Sequence, residues 1–326
     1  MRNIFEKEIA KTIEDINAVR CPGDLCFVAV TDTKLTDISS RTISNIQAVD
    51  RQVHFDFMVH LGDLLCGGSP KKVSCHVLSE ELAAYRSAIA AQKLFVAQGE
   101  TDGWRDESFC GQLVMNIMTD HIWHEETSFI DRYENVKRSG NAPYYYVDDP
   151  ISHTRCIFLA SERYEMEEGH KLYQKYHTLG LKQLVWLEEA LQLEAGWKVL
   201  IFSHAIPGSR FETGVNPPSY KGNAIDKPLA ILQKAVRNHG IRFVAWICGH
   251  YGYDCEIQEL SMNHIALGGL SAFPCPGVEI PEARRETKRQ AGTEKEDLWD
   301  AFVLKPQERK LYIFRFGAGA DKVILF

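Results

Sequence analysis

The chain has 326 residues, of which 45% are hydrophobic and 25% are charged, a composition typical of folded globular proteins that excludes a disordered or fibrous one. Its 37 basic and 44 acidic residues give a formal charge of −7, so the basic footprint of a nucleic-acid-binding protein is missing and no nucleic-acid partner is expected. The nine cysteines are an odd number without CxxC pairs, which indicates reduced thiols and a cytoplasmic protein.

Residues 1–20 predict an amphipathic N-terminal helix, because Ile4, Ile9, Ile13 and Ile16 recur at helical spacing. This segment lacks the apolar core of a signal peptide. Elsewhere, no apolar run approaches the ~20 residues that are needed to span a bilayer. We therefore expect neither a leader in this sequence nor a membrane partner.

Short apolar runs predict strands along the first 250 residues or so, and amphipathic segments between several of them predict helices. The predicted strands are 25–30, 57–61, 94–97, 155–160, 198–203 and 242–248. The predicted helices are 42–53, 78–91, 181–193 and 229–236. Alternating strands and helices are typical of βαβ units, so an α/β fold is expected.

Three further segments complete the organisation of the chain. The segment from 103 to 141 is rich in charged and aromatic residues without a strand pattern, and it is predicted to be a central insertion. From residue 260 onward, short strands are predicted at 263–267, 301–305 and 310–316, the last two within C-terminal strands at about 298–326. The charged stretch 279–297 predicts an exposed loop or a surface helix. With no repeat and no linker, residues 1–326 are expected to form a single domain.

Acidic residues or histidines follow five of the predicted strands, at Asp32, Asp63, Glu100, His204 and His250. The carboxyl ends of strands in an open α/β sheet form one ligand-binding edge. Carboxylate and imidazole groups suit Mn, Fe or Zn, so a divalent metal site is predicted at this edge. The alternatives are a turn or a helix cap for each aspartate, a surface position for the glutamate, and a buried core position for the first histidine.

The order of these segments resembles the calcineurin-like metallophosphoesterases, whose motifs are DxH, GD, GNH[DE], a strand-end His and GHxH. The matching segments here are Asp32-Thr33-Lys34, Gly62-Asp63, Gly99-Glu100-Thr101-Asp102, His204 and Gly249-His250-Tyr251-Gly252. The resemblance covers residues 27 to about 270. It implies a four-layer αββα sandwich in which two mixed sheets are flanked by helices.

The resemblance also implies how the metal ligands are divided. One metal position of the family keeps four donor residues here, which are Asp63, Glu100, His204 and His250. The other position keeps Asp32 but has Lys34 and Gly252 where the family has histidines. A lysine ammonium cannot ligate a cation but can supply its charge, so one divalent ion beside Lys34 is predicted, with two ions or an ordinary solvated lysine as alternatives.

The function that the resemblance implies is hydrolysis of a small phosphomonoester or phosphodiester. Lys34 and Asp102 are the predicted catalytic residues, and a helix N-cap is the alternative for Asp102. Thr101 stands where the family has the histidine that helps to protonate the leaving group, and a threonine hydroxyl is a poor acid. The alternative function is therefore a catalytically inactive phosphoesterase fold that serves as a binding or scaffold module.

Overall fold

The computed structural model describes residues 4–34, 39–106, 114–166, 173–177, 179–206, 226–252, 254–259, 262–267 and 289–326. The α-helices are α1 Glu6–Val19, α2 Ser39–Val53, α3 Lys71–Arg86, α4 Asp120–Thr127, α5 Leu181–Ala190 and α6 Asp226–His239. The strands are β1 Leu25–Val30, β2 Phe57–His60, β3 Leu94–Val96, β4 Trp104–Asp106, β5 Val114–Ile117, β6 Val136–Arg138, β7 Tyr145–Asp149, β8 Thr154–Phe158, β9 Glu162–Met166, β10 Tyr173–His177, β11 Lys198–Ser203, β12 Arg242–Cys248, β13 Cys255–Glu259, β14 Met262–Ala266, β15 Leu298–Lys305, β16 Lys310–Gly317 and β17 Lys322–Leu325. Within these ranges, no helix combines the length and the apolar composition that crossing a membrane requires.

Two mixed sheets form the centre of the molecule. The six-stranded sheet has the order β17-β16-β15-β1-β2-β3, in which β1 pairs parallel with β2 and antiparallel with β15. The seven-stranded sheet has the order β13-β14-β12-β11-β8-β7-β6, in which β11 pairs parallel with both β8 and β12. Two small antiparallel pairs, β4-β5 and β9-β10, lie outside these sheets.

The two sheets pack face to face through one hydrophobic core. Phe27 of the six-stranded sheet meets Phe202 of the seven-stranded sheet edge to face, with ring centroids 5.7 Å apart. Helices α1 and α2 pack together, and α1 also contacts β16 of the six-stranded sheet. Helices α5 and α6 cover the other sheet through a separate outer core. The predicted αββα sandwich is confirmed.

Strand β11 shows how the sequence builds these layers. Leu200 and Phe202 belong to the core between the sheets, while Val199 and Ile201 belong to the outer core beneath α5 and α6. Successive side chains of a strand point to opposite faces, and here both faces are buried. A strand buried on both faces is apolar along its whole length, which is why this strand was predicted with its observed bounds.

Two segments outside the central strands of the sheets differ in part from their predictions. The segment 103–141 was predicted to lack strands, but it contains β4, β5 and β6 as well as α4. The stretch 279–297 was predicted to be an exposed loop or a surface helix, and residues 290–292, 294 and 295 are indeed exposed, but Asp297 at its end is fully buried. Its carboxylate accepts hydrogen bonds from Thr42 Oγ1 at 2.6 Å and Asn45 Nδ2 at 2.8 Å, and such partners are what make a buried carboxylate tolerable. Residues 279–288 lie outside the described residues.

A buried arginine connects the C-terminal hairpin to the segment that follows His250. Arg315 of β16 donates from Nε and Nη2 to the two oxygens of Asp300, at 2.8 and 2.9 Å. The same Nη2 donates to Asp254 Oδ1 at 2.8 Å. Removing the guanidinium would leave the buried carboxylate of Asp300 without its paired cation, while Asp254 would keep only Lys322, whose Nζ is 3.6 Å away. Breaking a buried ion pair in this way costs about 3–5 kcal/mol.

We therefore expect Arg315→Met to lower the free energy of unfolding by about 3–5 kcal/mol, measured by urea unfolding. Adding Asp300→Asn removes one of the unpaired charges and should recover part of the loss. Arg51→Met, at an exposed position of α2, is the matched control and should stay within about 0.5 kcal/mol of the wild type. An Arg315→Met protein as stable as the control would contradict this account of the buried cluster.

Candidate metal centre

Residues from both sheets meet at the edge formed by the carboxyl ends of the central strands. Asp32 and Asp63 follow β1 and β2 of the six-stranded sheet, and His204 follows β11 of the seven-stranded sheet. All three are buried, and one ligand atom from each lies within 4.8 Å of the others. Two carboxylates and an imidazole at this spacing form a candidate site for a divalent metal ion.

The carboxylate of Asp63 lies at the middle of this group. Its Oδ2 atom is 3.1 Å from Nζ of Lys34. Its Oδ1 atom is 3.5 Å from Nε2 of His204 and accepts a hydrogen bond from the backbone N–H of Thr101 at 2.7 Å. The two oxygens of one buried carboxylate thus face an ammonium group and an imidazole ring.

The imidazole of His204 is oriented by its other ring nitrogen. Nδ1 lies 2.7 Å from the carbonyl oxygen of Leu61, and because a carbonyl only accepts, Nδ1 carries the proton and donates it. In the neutral ring, the lone pair then lies on Nε2, the atom that faces Asp63. A histidine held in this way is arranged like the metal-binding histidines whose second nitrogen donates to a backbone carbonyl.

The ammonium of Lys34 lies on both carboxylates. Besides its contact with Asp63, Nζ is 3.8 Å from Oδ1 of Asp32, and the side chain is 31% exposed. Burial alone would lower the pKa of Lys34, but the charges of Asp63 and Asp32 outweigh burial and raise the pKa above its ordinary value. The lysine therefore keeps its positive charge between the two aspartates.

The two aspartates differ in how well their charges are compensated. Burial raises the pKa of Asp32, and the nearby charge of Asp63 adds to this effect. Burial acts in the same direction on Asp63, but His204 and the closer ammonium of Lys34 outweigh it and hold the pKa of Asp63 below its ordinary value. Asp63 is therefore the fixed negative charge of the group.

Glu100 and His250 lie at the rim of the group rather than within it. Oε2 of Glu100 is 3.8 Å from Nδ1 of His250, and their side chains are 30% and 18% exposed. The ring centroids of His204 and His250 are 5.1 Å apart. The backbone N–H of His250 donates to Oδ2 of Asp32 at 3.0 Å, which joins the two sheets at this edge. These two residues neighbour the buried aspartates and His204 without joining the set that lies within 4.8 Å.

Asp102 lies beneath the site and holds two of its loops. Its carboxylate accepts backbone hydrogen bonds from Asp63 N at 3.0 Å, Gly99 N at 2.8 Å and Leu65 N at 3.1 Å. Burial, together with the charge of Asp63, raises the pKa of Asp102 to about 6. A turn and strand β4 follow, so the helix N-cap alternative is wrong. Sequence reasoning missed the hydrogen bonds, since they depend on how the loops are placed.

The same loops approach each other as closely as glycine permits. A Cβ atom added to Gly99 would lie 2.0 Å from the backbone N of Asp63, and one on Gly62, where φ is +90°, would lie 2.6 Å from Gly99 Cα. Four site residues other than glycine have left-handed backbone angles: φ is 52° at Asp32, 44° at Lys34, 58° at Asp63 and 68° at His250. Left-handed angles at residues other than glycine are uncommon and cost energy, and they cluster at functional sites. Four of them in these loops are therefore consistent with a functional site.

His60 is fully buried and supports the loop that carries Asp63. The N–H of Gly62 donates to its Nδ1 at 3.2 Å, so the other ring nitrogen carries the proton and donates to Thr33 Oγ1 at 3.1 Å. Burial lowers the pKa of His60 to about 3, which keeps the ring neutral. With both nitrogens in hydrogen bonds, His60 is a structural residue.

The chemistry of the donor set fits a divalent cation. Carboxylate oxygen and neutral imidazole nitrogen are the ligand types that Mn, Fe and Zn share. Asp63 and His204 present such atoms directly, and Asp32 completes the buried group. Lys34 cannot be a ligand while protonated, so its ammonium and a metal ion would compete for the space between Asp32 and Asp63.

Comparison with known proteins bears on the fold. No protein-family model matches the chain, and no curated protein matches it in sequence. Among solved structures, a dimetal phosphatase from Danio rerio is similar at 15% identity and a TM-score of 0.54, covering 93% of this chain and 99% of that one. GAP50, described as the anchor in the inner membrane complex of Plasmodium, is similar at 11% identity and a TM-score of 0.50, covering 92% of this chain and 90% of that one.

These likenesses extend over nearly the whole of each chain, although few residues are identical. They agree with the observed pair of mixed sheets. The chain therefore has the fold of the calcineurin-like metallophosphoesterases.

Proposed function

We propose that this protein is a phosphoesterase that hydrolyses a small phosphomonoester or phosphodiester with one divalent ion, either Mn, Fe or Zn. The observation that carries the proposal is the buried carboxylate of Asp63, with the imidazole of His204 on one oxygen and the ammonium of Lys34 on the other. In the proposal, the ion is held on the imidazole side by Asp63, Glu100, His204 and His250. Lys34 takes the place of a second ion, beside Asp32.

The ion would supply Lewis-acid polarisation of a phosphoryl oxygen and would acidify a water molecule. Lys34 contributes a fixed positive charge and three donors, and its partly exposed ammonium can reach a phosphoryl oxygen while it remains near Asp63. Asp32 keeps the ammonium in place from its other side. Asp102, predicted as catalytic, enters the proposal as a positioning residue, because three backbone N–H groups already occupy its carboxylate.

The proposal includes a small substrate and a reducing compartment. The ammonium of Lys34 can hold one phosphate group, and the chain's negative charge disfavours a nucleic-acid partner. Six of the nine cysteines, namely Cys21, Cys26, Cys66, Cys75, Cys156 and Cys248, are free thiols, which supports a cytoplasmic location. We also propose that residues 1–326 form one domain, since one hydrophobic core includes residues from near both ends of the chain, such as Phe5 and Phe316.

The first test counts the metal ions. Wild-type protein loaded with Mn or Zn should contain one ion per chain by elemental analysis. Lys34→His removes the ammonium and adds a neutral donor beside Asp32 and Asp63, so the count should rise toward two. Lys34→Arg keeps the positive charge and should leave the count at one.

Two ions per wild-type chain would show that the ammonium of Lys34 does not exclude a second cation. An unchanged count in Lys34→His would show that the two aspartates cannot hold one. Either result contradicts the assignment of Lys34 to a metal position.

The second test measures turnover. Lys34→Met removes the charge that is proposed to stabilise the phosphoryl oxygens, and hydrolysis of p-nitrophenyl phosphate or its bis-ester should fall about 10²–10³-fold, as when one preorganised donor is lost. Lys72→Met, at an exposed position of α3, is the control and should hydrolyse both esters at the wild-type rate. Equal rates of hydrolysis in the two variants would show that Lys34 takes no part in the reaction.

One observation favours the alternative, a binding or scaffold module without catalysis. The hydroxyl of Thr101 donates to the carbonyl oxygen of Leu65 at 2.5 Å, so it is already committed and is a poor source of a proton for a leaving group. The solved structure of GAP50 is described as that of an anchor, which is the kind of role that this alternative assigns to the fold.

The alternative predicts that metal-loaded wild type binds its ion but turns over neither ester. Lys34→His/Thr101→His should then gain activity, because it restores a ligand and an acid, whereas Thr101→Val should gain none. Wild-type turnover that depends on added metal and on Lys34 would reject the alternative and support the phosphoesterase.

A further inference from the structure

A cavity of about 370 Å³ lies at the end of the seven-stranded sheet that is opposite the candidate metal centre. Strand β12 begins there, at Arg242, and ends at Cys248, two residues before His250. At about 3.3 Å per residue, the two ends of this strand are about 20 Å apart. The cavity is therefore separate from the site that the phosphoesterase proposal uses.

The floor of the cavity is apolar. Ile241 and Met262 are 2% and 5% exposed, and both belong to the outer core beneath α5 and α6. Val236 and Phe243 are half-buried walls that pack against the same core, and Phe326 closes one end. An alkyl or aryl group placed here would be removed from water by side chains that are already well packed.

The polar lining is cationic. Arg237, Arg242 and Arg309 line the cavity, and none of the nine lining side chains is acidic, although acidic residues outnumber basic ones in the whole chain. Arg309 donates from Nε to a main-chain oxygen of Phe326 at 2.8 Å, and because Phe326 is the last residue of the sequence, this oxygen belongs to an α-carboxylate that pairs with Arg309. Arg237 and Arg242 form no ion pair with any residue of the described ranges. The guanidinium groups of Arg237 and Arg242 thus lie beside an apolar floor without an ion-pair partner in the described part of the chain.

A neighbouring lysine responds to this positive charge. Burial lowers the pKa of Lys198, which begins strand β11 beside β12, and the charge of Arg242 lowers it further. Lys198 and Arg242, which pair across β11 and β12, therefore place two positive charges next to each other at this end of the sheet. A ligand that brings a negative charge would relieve this repulsion.

We infer that this cavity binds an amphiphilic anion. Its carboxylate or phosphate head group pairs with the guanidinium groups of Arg237 and Arg242, whose planar forks match both kinds of oxyanion. Its alkyl or aryl group lies on Ile241 and Met262. The inference rests on the cavity alone and holds whether or not the metal centre is catalytic.

The test is titration calorimetry of the full chain with octanoate, octyl phosphate, octanol and inorganic phosphate. At least one octyl anion should bind, and the tighter of the two identifies the head group. Octanol lacks the charge and inorganic phosphate lacks the octyl group, so each should bind at least about tenfold more weakly than the octyl anion. A loss of this size is expected for one charge-assisted hydrogen bond or for about two buried methylene groups.

Two variants test the guanidinium groups and the apolar part of the cavity separately. Arg237→Ala/Arg242→Ala should weaken binding at least about tenfold, and since both side chains are exposed, thermal unfolding should match that of the wild type. Gln233→Trp places a ring in the cavity without changing its charge and should also weaken binding. Arg51→Ala, an exposed arginine of α2 outside the cavity, is the matched control and should bind like the wild type.

The inference is overturned if neither octyl anion binds to the wild type. It is also overturned if Arg237→Ala/Arg242→Ala or Gln233→Trp binds as tightly as Arg51→Ala. Equal affinity for octanol or for inorganic phosphate would likewise remove the requirement for an amphiphilic anion.

Discussion

The structure around the candidate centre depends on the buried negative charge of Asp63. A carboxylate that is 1% exposed is tolerated only where cations and hydrogen-bond donors surround it. Lys34 supplies a cation to one oxygen, while the N–H of Thr101 and the ring of His204 face the other. Because His204 belongs to the second sheet, its contact with Asp63 also joins the two sheets at their edge.

The backbone around this charge is held in a form that it would not adopt alone. Left-handed angles at non-glycine residues cost about 1–3 kcal/mol each, and four site residues have them, including Asp63 itself. The three hydrogen bonds to Asp102 and the close contact between Gly62 and Gly99 hold the loops in place. This rigidity keeps the ammonium and the imidazole at set distances from Asp63, as binding without reorganisation requires.

Much of this arrangement could be predicted from the sequence, because strands such as β11 and β12 are buried on both faces and read as continuous apolar runs. The residue types at their ends then predicted which edge carries the site. Strand β6 was missed because it has three residues at a sheet edge, two of them charged. The hydrogen bonds to Asp102 were also beyond prediction, since they depend on how loops from different strands are placed.

Lys34 is the residue that decides how many metal ions the site holds, because its ammonium and a metal ion would compensate the negative charges of the same two aspartates. The most direct measurement is a crystal structure of metal-loaded wild-type protein with anomalous diffraction at the Mn or Zn edge. We predict one anomalous peak, beside Asp63 Oδ1 and His204 Nε2, with the ammonium of Lys34 still next to Asp63 Oδ2. A second peak between Asp32 and Asp63, with the lysine displaced, would contradict the account.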